Sequence, residues 1–195
     1  MKNPLKKDGL NFNRKRRKIE FSRFQRVFIF LGEMIAVVLL SYFVVISYGI
    51  RIDSLGESME PTLQEGDVLL MDKLKYRLLS PSKNDIIAFQ PSGNLNSKYS
   101  IKRVIGLPGD LIKIENGTLY VNNEAYRDVA DTESIKDAGI AENEITVPSG
   151  SYFVLGDNRN NSEDSRYETI GMVRDEEIVA RIWFDLTMSN FGFVN

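Results

Sequence analysis

The chain of 195 residues contains no cysteine, no histidine and a single tryptophan. Without cysteine there is no disulfide, no thiolate nucleophile and no zinc-thiolate centre, so the fold is indifferent to the redox state of its compartment. Without histidine the usual general base and imidazole metal ligand are gone, and any hydrolytic chemistry must move protons with Asp, Glu, Lys or Tyr. Low-complexity tracts and internal repeats are missing too. What is present, 43% hydrophobic residues, is enough to build one packed domain with a short appendage.

Charge is unevenly spread. Residues 1–26 carry ten Lys or Arg against Asp8 and Glu20, whereas from Arg51 onward acids outnumber bases by nine. Between them VFIFLGEMIAVVLLSYFVVISYGI, residues 27–50, has Glu33 as its one charged side chain and no proline. As a helix it would be roughly 36 Å long, against about 30 Å of bilayer hydrocarbon. It is longer than the apolar region of a secretory leader and has no small-residue cleavage site behind it. It also lacks the polar stripe of a core helix. The expectation is a membrane span with residues 1–26 as a cytoplasmic arm and residues 51–195 as an extracytoplasmic domain. Glu33 lies near the basic end, where it can reach toward Arg26. The arm reads as a cluster for anionic lipid headgroups, so the lipid bilayer is an expected partner and nucleic acid is not.

After Ile50 the pattern changes to short alternating runs ended by turn residues, as in antiparallel sheet. Strands are expected in 68–74, 85–90, 100–106, 111–121, 144–148 and 151–157; residues 172–186 fit helix or strand, and a closing strand after a turn is the favoured reading. Asn116-Gly117 reads as a two-residue hairpin, Leu107-Pro108-Gly109-Asp110 as a turn with Pro second and Gly third, and Pro148-Ser149-Gly150 as another turn. Residues 127–143, polar and acidic, read as an excursion or small inserted subdomain. The expected fold is mainly β, one N-terminal transmembrane helix followed by an antiparallel β-sheet domain.

In GESMEPTL, residues 56–63, Ser58 stands eight residues after Ile50, so its hydroxyl lies within about 26 to 29 Å of the end of the span. If it is a nucleophile, a lysine can serve as its base only when uncharged. At an ordinary pKa of about 10.4, roughly one amine in 2,500 is neutral at pH 7, and a drop of about two to three units disfavours the charge by about 3 to 4 kcal/mol. Such a lysine belongs inside an apolar strand. Lys102, in YSIKRVIGLPGD, is bracketed by Ile101, Val104 and Ile105. Alternation puts it on the face of Val104, with Arg103 alongside Ile101 and Ile105. The adjoining Arg103 charge is expected to push the amine's pKa down further. A lysine chosen at random is far more often a solvated surface group.

The segments Ser58-Met59-Glu60-Pro61-Thr62-Leu63, Gly66-Asp67-Val68, Lys102-Arg103-Val104-Ile105-Gly106-Leu107-Pro108-Gly109-Asp110 and Gly156-Asp157-Asn158-Arg159-Asn160-Asn161-Ser162-Glu163-Asp164-Ser165-Arg166 resemble the boxes of bacterial type I signal peptidases. They follow a membrane anchor in that family's order, over residues 27 to about 185. Gly56 and the short intervening subdomain resemble the Gram-positive form. The resemblance implies a catalytic β-domain of signal-peptidase type, acting as a serine endopeptidase that cuts signal peptides from secreted preproteins after small residues. Ser58 would be the nucleophile and Lys102 the general base of a Ser-Lys dyad. Met59 would help shield the dyad, Ser162 would hydrogen-bond and orient the lysine, and Asp164 would pair with Arg166 to hold the last box. Some members carry a serine two residues before the nucleophile as an oxyanion donor; Gly56 stands at that place and leaves backbone donors only. Ile52, Leu55, Ile101 and Val104 are the expected walls of pockets for small residues, with the substrate added as an extended strand. The implied partners are preproteins bearing signal peptides, themselves held in the membrane, and a place close to the secretion translocase. The implied localisation is the cell membrane, and no metal or organic cofactor is implied.

Other readings fit less well. Ser80-Pro81-Ser82-Lys83 matches the S-x-x-K of β-lactamases and penicillin-binding proteins, but it sits in a proline-containing loop and the companion motifs are absent. A calcium loop in the last box fails because Arg159 occupies a ligand position. A self-cleaving repressor-type Ser-Lys protease would need a DNA-binding domain where this chain has its apolar run. The non-enzymatic alternative is an inactive or escort-type membrane-anchored β-domain that binds secreted proteins; intact Ser58 and Lys102 count against it.

Overall fold

A computed structural model describes residues 18–48, 50–91, 98–129 and 132–194. Its first element is a helix, α1 (Lys18–Tyr48). Within α1, Phe24–Ile46 is long and apolar enough to cross a membrane, and none of it is buried inside the protein. A core helix would instead have its apolar face covered by other elements. The helix begins before the expected span because residues 18–26 contain no Pro or Gly and are rich in Lys, Arg, Glu and Gln, which favour helix. It ends at Tyr48, so Ile50, expected inside the span, instead opens the first strand. The chain divides into two compact units, Met1–Tyr42 and Phe43–Asn195.

The second unit is β-rich. In chain order its strands are β1 (Ile50–Asp53), β2 (Val68–Asp72), β3 (Ile86–Phe89), β4 (Ser100–Gly106), β5 (Leu111–Glu115), β6 (Thr118–Val121), β7 (Glu124–Ala125), β8 (Ile145–Thr146), β9 (Ser151–Leu155), β10 (Val173–Arg174), β11 (Ile178–Asp185) and β12 (Gly192–Phe193). The larger sheet has the order β1-β2-β11-β3-β4-β9-β10, with β12 also on β11; the smaller has the order β7-β6-β5-β8. Every pairing is antiparallel. The turns follow local chemistry. Asn116 and Gly117, at φ 50° and 76°, make the tight β5–β6 hairpin, and Gly109, at φ 90°, closes a turn in which Asp110 N donates to Leu107 O at 2.9 Å.

Three apolar clusters hold the unit together. Ile86, Ile101 and Ile182 meet Met59, Leu63, Leu69 and Met71 in the first. In the second, Ile105, Phe153 and Leu155 of the larger sheet pack on Ile112, Ile114, Leu119 and Val121 of the smaller. The third gathers Ile87, Phe89, Val104, Tyr152, Val154 and Val173. Strand β4 supplies one residue to each cluster and is therefore clamped on all sides.

Some strand ends differ from expectation. β2 stops at Asp72 because its Oδ1 accepts the N–H groups of Leu74 and Lys75 at 2.9 and 3.0 Å, which starts the one-turn helix α2 (Lys75–Leu78). Residues 172–186 are not one strand. Glu177 Oε2 accepts Arg174 N at 2.8 Å, closing a 3-10 turn over Asp175–Glu177 that sends β10 to β9 and β11 to the centre of the sheet. Ser80–Lys83 lie outside any helix, and Lys83 pairs with Asp110 at 3.0 Å. Residues 127–143 contain a 3-10 turn, Gly139–Glu142, and bury Ile135 and Ala141 in the second cluster.

Candidate active site

Ser58 lies on the connection from β1 to β2. Ser54 N donates to Asp67 O at 2.8 Å and Gly66 N to Ser54 O at 2.9 Å, which pinches this loop at its base. Met59, 2% exposed, and Leu63, fully buried, plug the loop into the first cluster. Burial of two such side chains contributes about 1.5 to 3 kcal/mol each, so the half-buried Ser58 between them and the loop base is held rather than free.

Lys102 points from the middle of β4, between β3 and β9, and is 6% exposed. Its Nζ and Ser58 Oγ are hydrogen-bonded at 2.7 Å, 44 residues apart in the chain. Burial pushes the amine's pKa below its ordinary value, while the carboxylates of Asp164, Glu163 and Asp157 pull the other way. Here the sequence expectation needs correcting. Arg103 is not what lowers Lys102, because Asp157 neutralises it: Nε and Nη2 donate to the two carboxylate oxygens at 2.8 and 2.7 Å, with both residues 1% exposed. The net downward shift comes from desolvation.

The loop after β9 supplies the third side of the site. A side chain at Gly156 would put Cβ 2.2 Å from Ser162 Oγ and 2.5 Å from Ser58 O, so only glycine fits. Asn158 N donates to Ser58 O at 3.1 Å, and Asn158 Nδ2 to Glu57 O at 3.1 Å. Asp164 and Arg166 form the expected buried pair, Nε to Oδ1 at 2.8 Å and Nη2 to Oδ2 at 2.9 Å, while Asp164 Oδ2 also accepts Gly156 N at 3.1 Å. Ser162 is brought to the site, but its buried Oγ has no hydrogen-bond partner, so the expected bond to Lys102 is not formed. Ser162 instead occupies the space that a side chain at position 156 would need.

Gly56 is half-buried at φ 77° with nothing within 4 Å of a Cβ built on it; the backbone conformation, not lack of room, favours glycine. Of the expected pocket residues, Ile52 and Ile101 share the first cluster with Met59, and Leu55 is 57% exposed. Val104 is a correction: it is fully buried in the third cluster opposite Val154 and forms core, not a pocket wall.

Two residues carry more of the site than the sequence reading gave them. Asp157, besides holding Arg103, accepts Thr62 Oγ1 at 2.6 Å, and so ties the serine loop to the strand of the lysine. A buried arginine beside Lys102 needs a buried acid, and the acid two residues after strand β9 was the available signal. Arg159, 2% exposed, donates from Nε to Gly156 O at 3.1 Å and forms an ion pair with Asp128. Among the described residues no group of three or more acids is arranged to hold a metal ion.

A serine hydroxyl hydrogen-bonded to a buried lysine amine, on an antiparallel β scaffold, is the arrangement of a Ser-Lys hydrolase. Residues 24–186 match the family described as "Signal peptidase, peptidase S26", and the chain belongs to that family. It is 41% identical over 131 residues to a probable signal peptidase I-2 of Synechocystis sp., a match covering 65% of this chain and 57% of that relative. It is 36% identical over 157 residues to signal peptidase IB of Staphylococcus aureus, covering 73% of this chain and 78% of the relative. A crystal structure of a signal peptidase I from Enterococcus faecalis is 34% identical, covering 52% of this chain and 96% of that one at a TM-score of 0.40.

Proposed function

We propose that this chain is a membrane-anchored serine endopeptidase that removes signal peptides from secreted preproteins, with Ser58 as nucleophile and Lys102 as general base. The 2.7 Å contact between Ser58 Oγ and an amine that burial drives toward neutrality carries the reading. The names of the relatives from Synechocystis and Staphylococcus aureus support the substrate class.

The chemistry follows from that pair. The uncharged Lys102 amine accepts the Ser58 proton as Oγ attacks the scissile carbonyl carbon. The ammonium then returns the proton to the leaving amine as the C–N bond breaks, and the same amine deprotonates the water that hydrolyses the acyl-enzyme. Backbone N–H groups of the serine loop would stabilise the oxyanion, since Gly56 offers no hydroxyl. Ile52, Leu55 and Ile101 would border the pockets for small residues, over Met59 as their floor. Residues 1–26 form the cytoplasmic arm and residues 51–195 the extracytoplasmic catalytic domain, so that the substrate's own membrane anchor concentrates it near Ser58. The bilayer and the translocase from which preproteins emerge are the neighbours this placement implies.

Ser58→Ala and Lys102→Ala should each abolish processing of a preprotein in detergent or lipid while the sheet's circular dichroism stays unchanged. Processing retained by either variant removes that residue from the mechanism; no processing by the unaltered protein in lipid sinks the whole reading.

A further inference from the structure

Residues 133–140 run against the loop after β9, and the two are joined by backbone as well as side-chain contacts. Lys136 N donates to Asn160 Oδ1 at 3.0 Å, Ile140 N to Arg166 O at 2.9 Å, and Arg166 Nη1 to Asp137 O at 3.0 Å. Gly139, at φ 53°, presses so closely that a Cβ there would sit 2.2 Å from Arg166 O. Further along, Asp128 forms the ion pair with the buried Arg159.

The inner side of the same loop faces the reacting groups. The Arg166 guanidinium holds Asp164 through two hydrogen bonds and Arg159 O through another of 2.6 Å; Asp164 holds Gly156 N; Gly156 abuts Ser58 O. A continuous path of contacts therefore runs from Gly139 through Arg166, Asp164 and Gly156 to the nucleophile. We propose that residues 133–140, together with Asp128, are a positioning brace that fixes the Ser58–Lys102 pair and its carboxylate neighbours from outside the catalytic machinery. This rests on the function proposed above.

The brace has an electrostatic consequence. The charged groups acting on Lys102 are Asp164, Glu163 and Asp157, all from the loop after β9. On its own strand Arg103 is neutralised by Asp157; the serine loop offers the Ser58 hydroxyl, and β3 the apolar Ile87 directly opposite. Arg166 is the cation that offsets Asp164, and Asp137 O and Ile140 N hold Arg166 in place. If the brace is displaced, the loop that carries Asp164 and Gly156 loosens around the site, water reaches the amine whose low pKa comes from burial, and the lysine holds its proton to higher pH. The fraction of neutral base at neutral pH falls.

The test is the pH dependence of kcat/KM for a preprotein, with the full chain in detergent, for the unaltered protein, Gly139→Ala, Asp128→Asn and Lys113→Gln. Lys113 sits in an exposed pair with Glu115 on the smaller sheet, and its variant should keep both rate and profile. For Gly139→Ala the expected result is about a tenfold loss of kcat at pH 7 with little change in KM, and a rising limb moved up by about half a unit or more. A folded Gly139→Ala whose rising limb stays in place, whatever its rate, overturns the brace, since loss of general integrity would lower the rate without moving the limb. If Gly139→Ala does not fold, the isosteric Asp128→Asn decides: losing a carboxylate would by itself move the limb down, so an upward shift reports the loosened loop, and a limb that stays or moves down overturns the proposal. Failure of the unaltered protein to process the preprotein overturns the proposed function and the brace together; processing with no shift in any folded variant overturns the brace alone.

Discussion

Lys102 is held between opposing influences, desolvation favouring the neutral amine and three carboxylates favouring the charged one, and desolvation wins. The sign of the pH dependence follows. A lysine whose pKa is lowered in the folded state is neutral over a window where a solvated lysine is charged, so kcat/KM should climb with pH and reach half its plateau below about 10.4. A profile flat from acid to neutral pH would contradict the role of the amine. Through the same window the unfolded chain binds more protons than the folded one, so Lys102 makes stability rise with pH up to its unfolded pKa. Asp157 presents a separate case. Its removal in Asp157→Ala would leave the guanidinium of Arg103, 1% exposed, without its counter-charge. The expected loss is about 3 to 5 kcal/mol in urea unfolding; a loss below about 1 kcal/mol would mean that the pair is dispensable. The arginine next to Lys102 called for a buried acid, and Asp157 just after β9 was a candidate, but that the two meet across 54 residues was not legible.

Among the elements, β4 is the axis, since it presents Lys102 and reaches all three clusters. Its end at Gly106 is tightly packed: a Cβ there would lie 2.8 Å from Ile112 Cδ1, 3.0 Å from Val147 Cγ2 and 3.1 Å from Phe153 Cβ. Gly106→Ala should therefore cost about 1 to 3 kcal/mol by overpacking, seen as a lower unfolding midpoint, with cleavage persisting below it. Unchanged stability would show that the side chains yield freely. Alternation and turn chemistry placed most strands and the Asn116-Gly117 hairpin correctly, because both signals are local. The division of 172–186 into β10 and β11 was hidden, since it depends on Glu177 capping Arg174 N and on β11 finding room between β2 and β3.

At the level of the whole molecule, an apolar span with no buried residue accompanies a β unit with its own core. Deleting residues 1–42 should leave a protein that keeps its cooperative unfolding but leaves the detergent phase for water, and that processes membrane-held preproteins about tenfold or more slowly for want of co-localisation. Equal processing by the two forms would mean that the helix adds nothing to encounter. The apolar run, the missing imidazole, the motif residues and the tight turns could be read directly from the chain, because each depends on composition or on neighbours a few positions apart. The pairing of Ser58 with Lys102 was implied by the family resemblance alone, and the buried Arg103–Asp157 pair, the unpartnered Ser162 Oγ, the enclosure of Val104 and the path from Gly139 to Gly156 could not be read at all. Each of those depends on which strands and loops become neighbours across tens of residues, and a lysine's charge is set by what packs around it, which only folding assembles.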